Sequence, residues 1–66
     1  MGNIFFVSSI FDGVISAHLK KPAADAARAA LVKSPDQDVF FEVLSYDEAL
    51  RFTCHEHLNR LAAGAQ

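Results

Sequence analysis

The sequence predicts a small single α+β domain that spans residues 1–66 and has the element order ββαβα. Two short apolar runs rich in Phe and Val are typical of strands. An alanine-rich segment between them has a high helix propensity, and the C-terminal segment begins with a helix-capping pattern. A chain of this length has room for one core. We therefore expect a three-stranded sheet with two helices packed on one face.

The N-terminal third predicts a β-hairpin. Residues 3–10 are rich in Ile, Phe and Val, and residues 14–19 form a second apolar segment. Asp12-Gly13 lies between them, and glycine accepts the positive φ that tight hairpin turns need. One long strand with a bulge at the glycine is the alternative.

The middle of the chain predicts a helix followed by a third strand. Pro22 suits the first turn of a helix over residues 22–33, because its missing N–H has no partner there. Ser34-Pro35 ends this helix, since the residue before proline avoids the helical region. A polar loop then leads into a strand over residues 38–44. A right-handed crossover makes the second and third strands parallel, but the orders 2-1-3 and 1-2-3 both satisfy the hydrophobic pattern.

The C-terminal segment predicts one helix over residues 45–63. Ser45 and Glu48 have the spacing of a capping box, and Gly64 is a natural C-terminal stop. On a helical wheel the apolar stripe includes Cys54, whereas Phe52 lies on the opposite, solvent-facing side.

Six phenylalanines stand in this chain of 66 residues, four of them in adjacent pairs. Neighbouring residues of a strand point to opposite faces, so each pair puts a ring on both faces of the sheet. If the helices cover one face only, the other needs a second chain. We therefore predict a homodimer built through the second sheet face or the sheet edge. The predicted interface residues are Phe5, Phe6, Phe40, Phe41 and Phe52.

Charge and composition exclude several classes of partner. The formal net charge is −2 and the six Lys and Arg are scattered, apart from Lys20-Lys21. A nucleic-acid-binding protein needs a basic stripe, so we expect no direct binding of nucleic acid. No run approaches the roughly 18 apolar residues of a membrane span, and the N-terminus lacks the basic region of a signal peptide. An unpaired cysteine fits the cytoplasm.

Three residues offer an alternative reading as a small metal- or ligand-binding domain: Cys54, His57 and His18. Cys54 and His57 are spaced i,i+3 on the predicted helix, but a structural zinc needs four ligands and the sequence has no CxxC or HExxH motif. Cys54 with His57 as base is also a poor nucleophile on an apolar helix stripe. We therefore expect no catalytic residues, no metal and no cofactor.

These observations favour a non-enzymatic protein-interaction module that binds and modulates a larger protein, by inhibition. Small acidic domains without active-site motifs are common among phage- and plasmid-encoded accessory proteins, anti-CRISPR proteins included. The likeness is one of size and type, and no motif carries it.

Overall fold

The computed structural model describes residues 3–65 of the chain. This part forms three strands, three α-helices and one 3₁₀-helix. In chain order they are β1 (Phe5–Ser9), β2 (Gly13–His18), α1 (Lys21–Leu31), the 3₁₀-helix (Pro35–Phe40), β3 (Phe41–Leu44), α2 (Tyr46–Ala49) and α3 (His55–Ala63). The predicted α+β class is confirmed, with a three-stranded sheet and helices packed against it.

The sheet has the order β2-β1-β3, which is one of the two orders that the sequence left open. The central strand β1 is antiparallel to both neighbours. β2 and β3 therefore run in the same direction, as the crossover rule predicts, with β1 between them. The pairing places Phe6 opposite Ala17 of β2 and Leu44 of β3.

The predicted hairpin is confirmed. Ser9 pairs with Gly13, so residues 10–12 form the connection. Gly13 has φ +76°, which glycine adopts without strain. The pairing also shifts between Val7 and Ser8, because Ile15 is an extra residue on β2. The bulge therefore lies inside the hairpin and does not replace it.

The two faces of the sheet are covered by different helices. Phe6 packs in one core cluster with Ala49 of α2 and Leu58 of α3. Val7 points to the opposite face and is also fully buried, as is Ala24 of α1. Because α1 contacts all three strands and Ala24 lies outside the Phe6 cluster, α1 covers the Val7 face. The fold thus differs in one respect from the expectation that both helices share a face: the chain covers both faces itself.

The predicted C-terminal helix over residues 45–63 is interrupted. Its start is as expected, since Ser45 Oγ accepts from the Glu48 amide at 3.2 Å and the Ser45 amide donates to Glu48 Oε1 at 2.9 Å. After α2, however, a turn separates the chain from α3, and Cys54 is the N-cap residue of α3. Phe, Thr and Cys at positions 52–54 have modest helix propensities. The break leaves Leu58 of α3 fully buried against the core.

The third strand begins later than predicted. Phe40 ends the 3₁₀-helix, and β3 starts at Phe41, so the expected polar loop is largely helical. Arg28 of α1 secures this segment. Its Nε donates to Phe41 O at 3.0 Å, and its guanidinium also donates to the Asp38 carbonyl at 2.7 Å and carboxylate at 2.8 Å. These bonds hold the 3₁₀-helix against α1.

Candidate functional site

The five predicted interface phenylalanines have very different surroundings. Phe6 has no exposed surface and belongs to the core, so it has nothing to offer a partner. Phe5 and Phe41 are partly buried at strand positions that share the α1 face with Val7. Phe40 is partly buried, and Phe52 is 62% exposed. Of the five, only Phe52 presents most of its ring to solvent.

Exposed apolar side chains are concentrated where the hairpin turn, the 3₁₀-helix and the α2–α3 turn meet. Four of the five large hydrophobic residues that are exposed in residues 3–65 lie here, at exposed fractions of 67, 70, 79 and 62% for Ile10, Phe11, Val39 and Phe52. The fifth is Leu19, just beyond the far end of β2. Together with the ring of Phe40, the four define the hairpin-end surface: Ile10, Phe11, Val39, Phe40 and Phe52.

Backbone and ring contacts fix the hairpin-end surface. The Ile10 amide donates to Phe40 O at 3.0 Å and joins the hairpin turn to the 3₁₀-helix. The rings of Phe11 and Phe40 meet edge to face, with centroids 5.3 Å apart and planes at 75°. The Phe11 amide also donates to Ser9 Oγ at 3.0 Å. Backbone hydrogen bonds therefore hold the chain on both sides of the Phe11–Phe40 contact.

A groove of about 390 Å³ runs through this surface. Val39, Phe40 and Phe52 line it together with polar residues, among them Glu42. The arrangement offers apolar walls and one carboxylate, which suits an apolar side chain better than a polar substrate.

The charges around the hairpin-end surface are mainly acidic. Asp12 follows Phe11 in the turn, and the exposed Glu42 lines the groove. Arg51, which precedes Phe52, is the one basic residue next to a member of the surface in the sequence. The pKa of Glu48 is lowered by hydrogen bonds from the Ser45 backbone and side chain, and further by Arg51.

The structure separates the residues of the alternative metal site. Cys54 is exposed at the start of α3. His57 Nε2 lies 2.8 Å from the Val14 carbonyl and donates to it, whereas His18 Nε2 lies 3.0 Å from Ser16 Oγ. Across residues 3–65, no three His, Cys, Asp or Glu side chains are close enough to hold one metal ion. The prediction of one uninterrupted helix placed Cys54 on its apolar stripe. That placement is wrong, because Cys54 is exposed at the N-cap of α3.

In each edge strand, one backbone carbonyl accepts a hydrogen bond from a side chain. His57 donates a hydrogen bond to the Val14 carbonyl of β2, and Arg28 donates one to the Phe41 carbonyl of β3. The extra residue Ile15 adds a bulge to β2. Bulges and covered edge groups are the usual means by which sheets resist edge-to-edge pairing.

Sequence reasoning missed Phe11, Ile10 and Val39. One signal in the sequence could have identified Phe11. It lies directly before Asp12-Gly13, at a turn position where Gly, Pro, Asn, Asp or Ser is usual, so a Phe there indicates an exposed ring. Val39 was assigned to the third strand, where it would have had a strand neighbour; in the 3₁₀-helix it points to solvent.

Comparisons with known proteins found no matching family model, curated protein or solved structure. No helix within residues 3–65 has the length and apolar character that crossing a bilayer requires. The chemistry of the hairpin-end surface is therefore the main guide to function.

Proposed function

We propose that the chain is a non-enzymatic protein-interaction module that binds a larger protein through the hairpin-end surface and modulates it by inhibition. The observation that supports this most is the concentration of exposed rings and aliphatic groups at one end of the domain. Single exposed apolar residues are ordinary on protein surfaces, whereas a continuous apolar patch with a polar rim is typical of a binding surface.

The size of the patch is in the range of functional surfaces. At about 200 Å² for a whole aromatic side chain, Phe11 with 70% exposed leaves about 140 Å² in solvent. The four exposed residues together present roughly 400–500 Å², and the largest patches on typical monomers measure about 300–600 Å². Stable interfaces bury about 800 Å² on each partner. The hairpin-end surface would thus form the apolar centre of an interface whose rim is polar.

Phe11 and Phe52 are the expected energetic anchors. Removing about 130 Å² of ring from water corresponds to a gross transfer free energy of about 3 kcal/mol, before the costs of association are subtracted. The backbone bond from Ile10 to Phe40 and the edge-to-face contact with the Phe40 ring hold Phe11 in place before binding. Binding then loses little conformational entropy at this site.

The proposal involves a larger partner rather than a second copy of the chain. The predicted homodimer depended on an uncovered sheet face, and α1 covers one face while α2 and α3 cover the other. His57 and Arg28 also occupy edge carbonyls. Homodimerisation stays a prediction from the sequence, without support from these contacts.

The test is a quantitative affinity purification from the cells that encode the chain. The bait is the wild-type protein, the double variant Phe11→Ser/Phe52→Ser, or the control variant Leu19→Ser, which changes an exposed apolar residue outside the surface. We expect one protein to be enriched with the wild type and with Leu19→Ser, and to fall at least about tenfold with the double variant. Circular dichroism checks that all three baits are folded.

Two results would contradict the proposal. A partner retained by the double variant would mean that binding uses another surface. Equal loss with Leu19→Ser would mean that general surface hydrophobicity, and not this surface, captures proteins. The inhibitory role is tested next, by titrating the purified chain against the activity of the enriched partner, which should fall to a plateau at one equivalent.

A further inference from the structure

Two carboxylates at the hairpin-end surface form no ion pair within residues 3–65. Asp12 adjoins Phe11 in the hairpin turn, and Glu42 lines the groove that Phe52 also lines. Neither forms an ion pair with another residue of the described part of the chain. The acidic residues that do so there are Asp25, Asp38 and Glu56.

Closing the groove with an apolar side chain alone would leave Glu42 partly desolvated and unpaired. An unpaired carboxylate loses favourable hydration when water is removed, and a cation from the partner compensates for that loss. Interfaces commonly combine an apolar centre with complementary charges at the rim. The acidic rim therefore selects the charge of the partner, as the rings select its apolar character.

Building on the proposed function, we propose that the hairpin-end surface binds a segment of the partner protein in which apolar side chains are flanked by Lys or Arg. An apolar side chain enters the groove between Val39 and Phe52, and the flanking cations face Glu42 and Asp12. The groove volume of about 390 Å³ suits one or two side chains rather than a whole domain.

The same charges argue against two other occupants. A second copy in a two-fold contact would bring Asp12 and Glu42 of both copies into one interface, where like charges repel. An anionic lipid surface would repel the same two carboxylates. A basic, apolar protein segment meets neither obstacle.

The experiment is a selection from a displayed library of random peptides of about 12 residues, long enough for one anchor and its flanks. The target is the wild-type protein, after depletion on Phe11→Ser/Phe52→Ser. We expect selected peptides to share an aromatic or aliphatic anchor and to contain more Lys and Arg than the input library. One such peptide, synthesised with a fluorophore, should bind Asp12→Asn/Glu42→Gln about tenfold more weakly and with less dependence on salt. Leu19→Ser is the control that keeps full affinity.

Each contrary outcome overturns the inference. Selected peptides without basic enrichment, or an affinity unchanged in Asp12→Asn/Glu42→Gln, would remove the charge argument and leave the proposed function standing. Failure to select any peptide would exclude a segment of this chemistry. Self-association in sedimentation velocity that Phe11→Ser abolishes would identify a second copy as the occupant. Binding to phosphatidylserine vesicles that Phe11→Ser abolishes would identify a lipid surface. The proposed function itself is tested separately, by the affinity purification, and a failure there is distinct from these outcomes.

Discussion

Substitution of Val7 tests whether the chain covers both faces of its own sheet. Val7 is fully buried on the face opposite Phe6, where α1 supplies the cover. If that face were open in the isolated chain, Val7 would be exposed and its truncation would have little effect. Val7→Ala therefore distinguishes a self-contained domain from half of a dimer core.

The expected magnitude follows from the burial of the side chain. Val7→Ala removes two buried carbon groups, each worth about 0.8 kcal/mol, and leaves a cavity, so we expect a loss of about 2–3 kcal/mol. A domain of this size has a total stability of about 3–10 kcal/mol. With a urea dependence of about 1 kcal/mol per molar, the unfolding midpoint should fall by about 2 M.

The assay is urea unfolding followed by circular dichroism at two protein concentrations that differ by about a hundredfold. Val39→Ala is the matched control, because the same atoms are removed from a valine that is 79% exposed. We expect a change within about 0.5 kcal/mol for this control, and midpoints that do not depend on protein concentration. Equal midpoints for Val7→Ala and Val39→Ala would refute the assignment of α1 to the Val7 face. A midpoint that rises with concentration would show that a second chain completes the core.

Three further predictions concern local features. Gly13→Ala should destabilise the domain by about 1–2 kcal/mol, because φ +76° strains any residue with a Cβ; Gly64→Ala, at φ −100°, is the control and should not. The hydrogen bonds from Ser45 lower the pKa of Glu48, so their stabilisation is complete above the unfolded pKa and is lost as the pH falls through the lower folded value. Glu48→Gln should flatten the acid side of a plot of urea midpoint against pH, and an unchanged slope would contradict the capping role. Cys54 is exposed in the native state, so a thiol reagent should modify it at the same rate with and without urea, whereas protection by folding would place it in the core.

Local signals in the sequence predicted the hairpin and the start of α2. Asp12-Gly13 between two apolar runs specifies a turn because only glycine adopts positive φ freely. The Ser45 and Glu48 pair specifies a helix start because each satisfies an amide of the other. Both signals act over a few residues, and neither needs tertiary contacts.

The features that the sequence did not reveal depend on tertiary packing. The break between α2 and α3 accompanies the packing of Leu58 in one core cluster with Phe6, a tertiary contact that a helical wheel drawn through positions 50–54 does not include. Whether both sheet faces are covered likewise depends on which face α1 packs against. A continuous apolar run such as residues 4–7 indicates that both faces of the strand are apolar, but it does not indicate which element covers each face.

The candidate site was partly predicted. Phe52 was expected at the surface because it falls on the polar side of a wheel, and it is exposed although the helix ends before it. Phe6 was expected as an interface residue and lies in the core, since pairing with Leu44 and Ala17 places it beneath α2 and α3. Phe11 joins the surface only through its contact with Phe40, which brings together residues far apart in the chain.

The proposed binding surface is tested most directly by site-specific photocrosslinking. A benzophenone-bearing phenylalanine analogue replaces Phe11 in one version of the chain and Leu19 in another, and both are expressed in the cells that encode the protein. The account predicts that position 11 crosslinks to one larger protein and that position 19 does not. Crosslinking of the same protein from position 19 alone, or from neither position, would contradict the hairpin-end surface as the binding site.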